Sequence, residues 1–298
     1  MLTKQFSKRH LTNYYMHLNF NKIFVIQSLN PDREKLTGTL LYNEVLQFFK
    51  YKYPDKDAEL IDVDDKEQLF NALQNIEHDC LVLNVKPIIH FEVHGLEGGS
   101  GIALNFGQVS WIELNKYFTK INIASSWNLY LTMAVCYGSY AMQLIKPISP
   151  APFAGIVGSF NLIEENDLYI RYHNFYSELL GALNFDTALE ALYRTNPNLP
   201  NGYGYIGSER MFKNVYQDYF DKEFSQSAMK RRFDNAVKDS SKKFINRKDK
   251  RQQAKQFRRL LLQTKKRYYT EHKAKFFMFE KYPEHEKMYC LGWEPKYR

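Results

Sequence analysis

Two side chains in this sequence are spaced and placed to act as a cysteine nucleophile and its base. His94 ends the apolar run IIHFEVHG, residues 88 to 95, and Cys136 ends the apolar run LYLTMAVC, residues 129 to 136. A glycine follows each closely: Gly95 directly after the histidine, Gly138 two residues after the cysteine. A thiol becomes a strong nucleophile when an imidazole takes its proton or stabilises its thiolate. The same imidazole can later protonate a leaving amine. Backbone N–H groups at Gly95 and Cys136 suit an oxyanion, and a residue without Cβ lets a peptide approach closely. His90 and Glu92 share one side of the strand with His94, because side chains alternate with a period of two. These two are expected to orient the site or to be hydrogen-bonded within the sheet. Same-side neighbours along a strand stand about 7 Å apart, and no further ligand clusters with them, so neither a metal nor another cofactor is expected.

The elements that must position these residues follow from hydropathy. Strand-like runs are IFVIQSL (23 to 29), AELIDV (58 to 63), the two runs above, and FAGIVGSF (153 to 160). Helix-like spacing of apolar residues falls between them, over 40 to 51, 66 to 76, 110 to 118, 141 to 145, 169 to 183 and 186 to 193. Ser110 with Glu113 is a capping-box pattern that opens a helix. Strands apolar on both faces and separated by helices predict a mostly parallel sheet covered on both sides. The fold class is therefore α/β, a doubly wound sheet of five or six strands flanked by helices. In such sheets, sites form at the carboxyl ends of the strands, where His94 and Cys136 both fall.

Residues 196 to 204 are rich in Pro, Asn and Gly and read as a loop. Gly202-Tyr203-Gly204-Tyr205-Ile206-Gly207 fits the dinucleotide glycine pattern on paper. It follows a loop instead of a strand, so a flexible loop is the expectation. Beyond it, residues 209 to about 279 have few β-branched side chains and read as α-helical. The expected division is a catalytic domain over 1–204 and a basic helical C-terminal extension over 205–298.

A hydrophobic strand ending in His-Gly, then a second ending in Cys-x-Gly some forty residues on, resembles the caspase-like cysteine peptidases, clan CD. The Gly98-Gly99-Ser100-Gly101 turn, the short strand Ile102 to Leu104 and the helix around Trp111 to Phe118 resemble the prokaryotic CHAT-type members most closely. So does the Pro152 to Ser159 segment, with the helix that carries Phe175 to Leu180. The resemblance spans roughly Lys22 to Tyr193. It implies a caspase-like fold, Cys136 and His94 as the catalytic pair, and Gly95 at the oxyanion position. It also implies cleavage of a protein substrate, in bacterial signalling or anti-phage defence, gated by a partner. Members that cut after Lys or Arg often carry an acidic residue just before the cysteine. Ala134 and Val135 stand there in this sequence, so that preference is not implied.

Charge divides the chain unevenly. Its 298 residues hold 41 Lys+Arg and 33 Asp+Glu, a formal net of +8. Lys230 to Lys275 alone carries 18 basic and 4 acidic residues. The body before it is net acidic. The basic segment is therefore expected to dock a regulatory protein partner, with nucleic acid as the alternative and a merely solvated helical face as the plainest reading. No run approaches the roughly 20 apolar residues of a membrane helix, and the N-terminus lacks the apolar core of a signal peptide. A cytoplasmic protein without membrane attachment is expected. Three cysteines, Cys80, Cys136 and Cys290, are too few and too scattered for a disulfide framework. Cys80 and Cys290 are expected to be structural. Two rivals to the peptidase remain: a silent scaffold of the same fold, and a nucleic-acid-binding protein acting through the basic helices.

Overall fold

A computed structural model describes residues 19–195, 202–240 and 243–289. Its strands are β1 (Lys22–Ser28), β2 (Asp57–Asp62), β3 (Pro87–Gly95), β4 (Gly101–Leu104), β5 (Gly107–Ser110), β6 (Tyr130–Ala134), β7 (Gly155–Ser159) and β8 (Tyr203–Gly207). Helices α1 (Thr37–Glu44), α2 (Phe49–Lys52), α3 (Lys66–Val82), α4 (Trp111–Ala124), α5 (Glu165–Ala182) and α6 (Phe185–Arg194) lie between the strands. Helices α7 (Ser208–Glu223), α8 (Gln226–Asp239), α9 (Arg247–Phe276) and α10 (His285–Met288) follow them.

The main sheet runs in the order β2-β1-β3-β6-β7-β8. β1, β2, β3, β6 and β7 are mutually parallel, and β8 pairs antiparallel with β7. β4 and β5 form an antiparallel hairpin that grows from the end of β3. From β1 the chain steps to β2 on one side, then returns to β3 on the other. That reversal makes the β1/β3 junction a topological switch point, where crevices open at the strand ends.

Both faces of the sheet are covered. On β3, the Phe91 ring meets Phe118 of α4 at 5.9 Å between centroids, while the His90 ring meets Tyr172 and Tyr176 of α5 at 4.8 and 5.3 Å. Alternate residues of one strand thus face helices on opposite sides, as the near-continuous apolar runs require. Helix α4 begins as its sequence predicts. Ser110 caps the Glu113 N–H, and the Glu113 carboxylate accepts from the Ser110 N–H at 2.9 Å.

Three expectations change. The stretch 40 to 51 is not one helix: α1 stops at Glu44, and a 3-10 turn over Leu46–Phe48 leads into the single turn of α2. Of the stretch 141 to 145, residues 141 to 144 belong to a 3-10 helix, Gly138–Leu144, and Ile145 is already extended. Residues 203 to 207, expected as flexible loop, form β8. Gly155 on β7 makes this pairing possible, because a Cβ there would lie 2.5 Å from the Tyr205 ring.

The expected boundary after Gly204 falls inside β8. Phe212 and Tyr216 of α7, and Tyr269 and Phe276 of α9, join the same apolar core as the sheet. Among the described residues, no helix is long and apolar enough to cross a membrane.

Candidate active site

The parallel strands all end at one edge, and the reactive residues sit there. The β3/β6 ladder closes at Glu92 opposite Ala134. His94, still within β3, and Cys136, just beyond the end of β6, each lie two residues further along their chains. Gly95 then lies against the Cys136 backbone. A Cβ on Gly95 would sit 1.7 Å from the Cys136 carbonyl oxygen and 3.2 Å from its Cα. Only glycine tolerates that approach. The pairing of two strand ends predicted from the sequence is therefore physically close, backbone on backbone.

Beyond Cys136 the chain turns sharply. Tyr137 takes the left-handed conformation (φ 61°), a costly one for a bulky side chain, and its N–H donates to the Asn161 carbonyl at 3.1 Å. Gly138 closes the turn by donating to Val135 O at 3.0 Å. The Cys136 sulfur is half-buried and rests on the loop after β7. It accepts from the Ile163 N–H at 3.4 Å and donates to the Ile163 carbonyl at 3.6 Å.

His94 is 60 % exposed, open to an incoming molecule. Its Nε2 bonds Glu34 Oε1 at 2.5 Å. The other oxygen of Glu34 accepts from the Asn30 N–H at 2.7 Å. Burial pushes the Glu34 carboxyl up, but the Asn30 amide and the His94 imidazole outweigh it and hold the group below its ordinary value. Glu34 comes from the loop between β1 and α1, so the His94–Glu34 pair spans the switch point. With Nε2 held by a carboxylate, Nδ1 is the ring nitrogen left to exchange a proton with a thiol.

Sequence reasoning missed Glu34. It lies sixty residues from His94 in a polar loop, with no spacing that ties the two together. Only its position after β1, the strand next to β3 in the sheet, could have singled it out.

His90 and Glu92 point to the α5 side and are bonded within the sheet. His90 Nδ1 meets Thr132 Oγ1 at 2.9 Å, and His90 Nε2 meets Glu92 Oε1 at 3.0 Å. Thr37 at the start of α1 donates to the other Glu92 oxygen at 2.8 Å. Thr132 shares a hydrogen bond of 2.7 Å with the Tyr176 hydroxyl. Burial holds the Tyr172 and Tyr176 phenols well above their ordinary range, so both stay neutral. This buried network satisfies a carboxylate and an imidazole inside the sheet, beneath the His94–Cys136 edge. Its side-chain hydrogen bonds join Thr37, Glu92, His90, Thr132 and Tyr176 in one chain.

Among the described residues, no three His, Cys, Asp or Glu side chains converge to hold a metal ion. Cys80 is buried in α3. Burial, with Asp79 and Glu77 nearby, pushes its thiol up to about 12. Cys290 lies outside the described residues. A cleft of about 370 Å³ between β2 and α3, lined by Asp62, Gln68 and Asp79, includes neither His94 nor Cys136. No protein-family model matches the chain, and no curated protein is significantly similar to it.

Proposed function

We propose that this protein is a cysteine endopeptidase of the caspase-like class, closest to the CHAT-type proteases, with Cys136 as nucleophile and His94 as general acid and base. The observation that carries the reading is the approach of Gly95 to the Cys136 backbone at the edge where the parallel strands end. It brings the Cys136 backbone against the residue that follows an exposed imidazole, and a carboxylate already orients that imidazole. The sheet order, five parallel strands and one antiparallel edge strand, supports the same reading.

In this mechanism His94 Nδ1 takes the thiol proton and the sulfur attacks the scissile carbonyl. The N–H groups of Gly95 and Cys136 receive the oxyanion. His94 then protonates the leaving amine, and the thioester is hydrolysed by water that the imidazole activates. Glu34 fixes the ring and stabilises the imidazolium between these steps. The substrate is a protein, and a regulatory partner gates access in a bacterial signalling or defence setting.

A second reading, a silent scaffold of this fold, draws on the Cys136 sulfur being bonded to the Ile163 peptide group. Cleavage mapping across a proteome separates the two. The parent chain should generate new N-termini that both Cys136→Ala and His94→Ala abolish, while both variants keep the parent's melting temperature. Equal cleavage by parent and Cys136→Ala would remove the peptidase reading.

A further inference from the structure

The free face of α9 holds a row of cations that nothing in the fold requires. Arg247, Lys248, Arg251, Lys255, Arg258 and Arg259 lie within one arc of about 120° and are all exposed. The row extends about 18 Å at 1.5 Å per residue. Among the described residues, none of these six makes an ion pair.

The opposite side of this half of α9 is already occupied. Phe257 packs on Phe233 of α8 at 5.6 Å, and Phe233 meets Phe244 at 6.2 Å. These residues form a small apolar contact that fastens α8 to the first half of α9. The second half of α9 enters the main core through Tyr269 and Phe276. The apolar sides of α9 are thus taken up by α8 and the core, and the cationic face is exposed to solvent.

The row also works against the helix that carries it. Arg247, Arg251, Lys255 and Arg259 are spaced four apart, where like charges repel. Arg247, Lys248, Lys250 and Arg251 crowd the N-terminal end, where the helix dipole is already positive. Charge placed against local stability points to a ligand that repays it. That ligand is a dense polyanion, and the helix N-terminus adds to its attraction.

The composition of the face decides which polyanion. Protein interfaces bury an apolar core. Over residues 247 to 259 this arc holds no large apolar or aromatic side chain. Without aromatics it offers no platform for unpaired bases. Duplex nucleic acid presents about one charge per 3.4 Å of axis on each strand, so the row can meet about five phosphates of one strand.

We infer that the exposed face of α9 binds the phosphate backbone of double-stranded nucleic acid without reading its sequence. The inference stands independently of the peptidase reading.

The test is binding of the full chain to duplexes of about 20 base pairs, DNA in one arm and RNA in the other, from about 50 to 200 mM salt. Affinity should fall with salt at a log–log slope near −4, about −0.9 for each phosphate contact. Arg251→Glu, Lys255→Glu, Arg258→Glu and Arg259→Glu together should weaken binding at least tenfold and flatten the slope. The four-Gln version should weaken it less, with helix content by circular dichroism unchanged in both. Tighter binding in one arm identifies the duplex, and equal binding fits backbone recognition. Binding within twofold of the parent in the charge-reversed chain would overturn the inference. So would a parent slope shallower than −1, or equally tight binding to polyglutamate, which would assign the face to acidic protein.

Discussion

At the scale of single residues, Glu34 joins the pair visible in the sequence, because its carboxylate bonds the His94 imidazole. Glu34→Gln keeps the shape of the side chain but withdraws the charge that orients His94. On the peptidase reading, kcat should fall on the order of a hundredfold with KM little changed, read by steady-state kinetics on a cleaved substrate. The pH dependence of the contact follows from its sign. Glu34 is held below its ordinary value of 4.5, so the contact is fully present above that value. It is lost as the pH falls through the lowered one. The cysteines give a second residue-level prediction. At pH 8 a thiol at about 12 is thiolate in roughly one molecule in ten thousand, and Cys80 is buried as well. Brief iodoacetamide treatment followed by peptide mass spectrometry should label Cys136 and leave Cys80 unmodified. Preferential labelling of Cys80 would contradict the packing of α3.

At the scale of elements, α4 shows how local chemistry sets a helix boundary. Ser110 is at once the last residue of β5 and the cap of α4. The Glu113 carboxyl is pulled down to about 2, first by Lys66 from α3 and then by the Ser110 amide and hydroxyl. Ser110→Ala should cost about 1 kcal/mol by chemical denaturation, the usual loss for a cap. The box was legible in the sequence because it is a local pattern of two residues three apart. β8 was not legible, because Tyr-Gly-Tyr-Ile-Gly carries no strong strand signal. It becomes a strand through Gly155, which leaves room for the Tyr205 ring, and through the ladder that β7 offers at the sheet edge. α1 likewise gives way at Val45, where the backbone leaves helical geometry (φ −131°) although the apolar spacing continues.

At the scale of the whole molecule, the C-terminal helices are tied to the sheet. Phe276 is fully buried, with Phe212 of α7 at 4.8 Å and Trp127 at 5.4 Å between ring centroids. Phe276→Ala should cost about 3–5 kcal/mol, read as a single shifted unfolding transition of the full chain. Two separate transitions, with only one moved by the substitution, would show that the helices and the sheet unfold apart. A division at residue 204 followed the change in composition, from mixed α/β patterning to basic helix. Composition records what solvent meets, and the aromatic anchors of α7 and α9 are too few to change it.

The sequence by itself determined the parallel strands, the α4 cap and the basic helical segment, and it singled out a histidine and a cysteine near the ends of β3 and β6. Each of these is written in local periodicity or in a side chain a few positions away. The tertiary structure alone decided that Gly95 lies on the Cys136 backbone, that Glu34 reaches His94, and that His90 and Glu92 are bonded to each other. It also decided that the cations of α9 face outward. These depend on which strands become neighbours and on which side of a helix finds a partner, and neither is set by residues near in the chain.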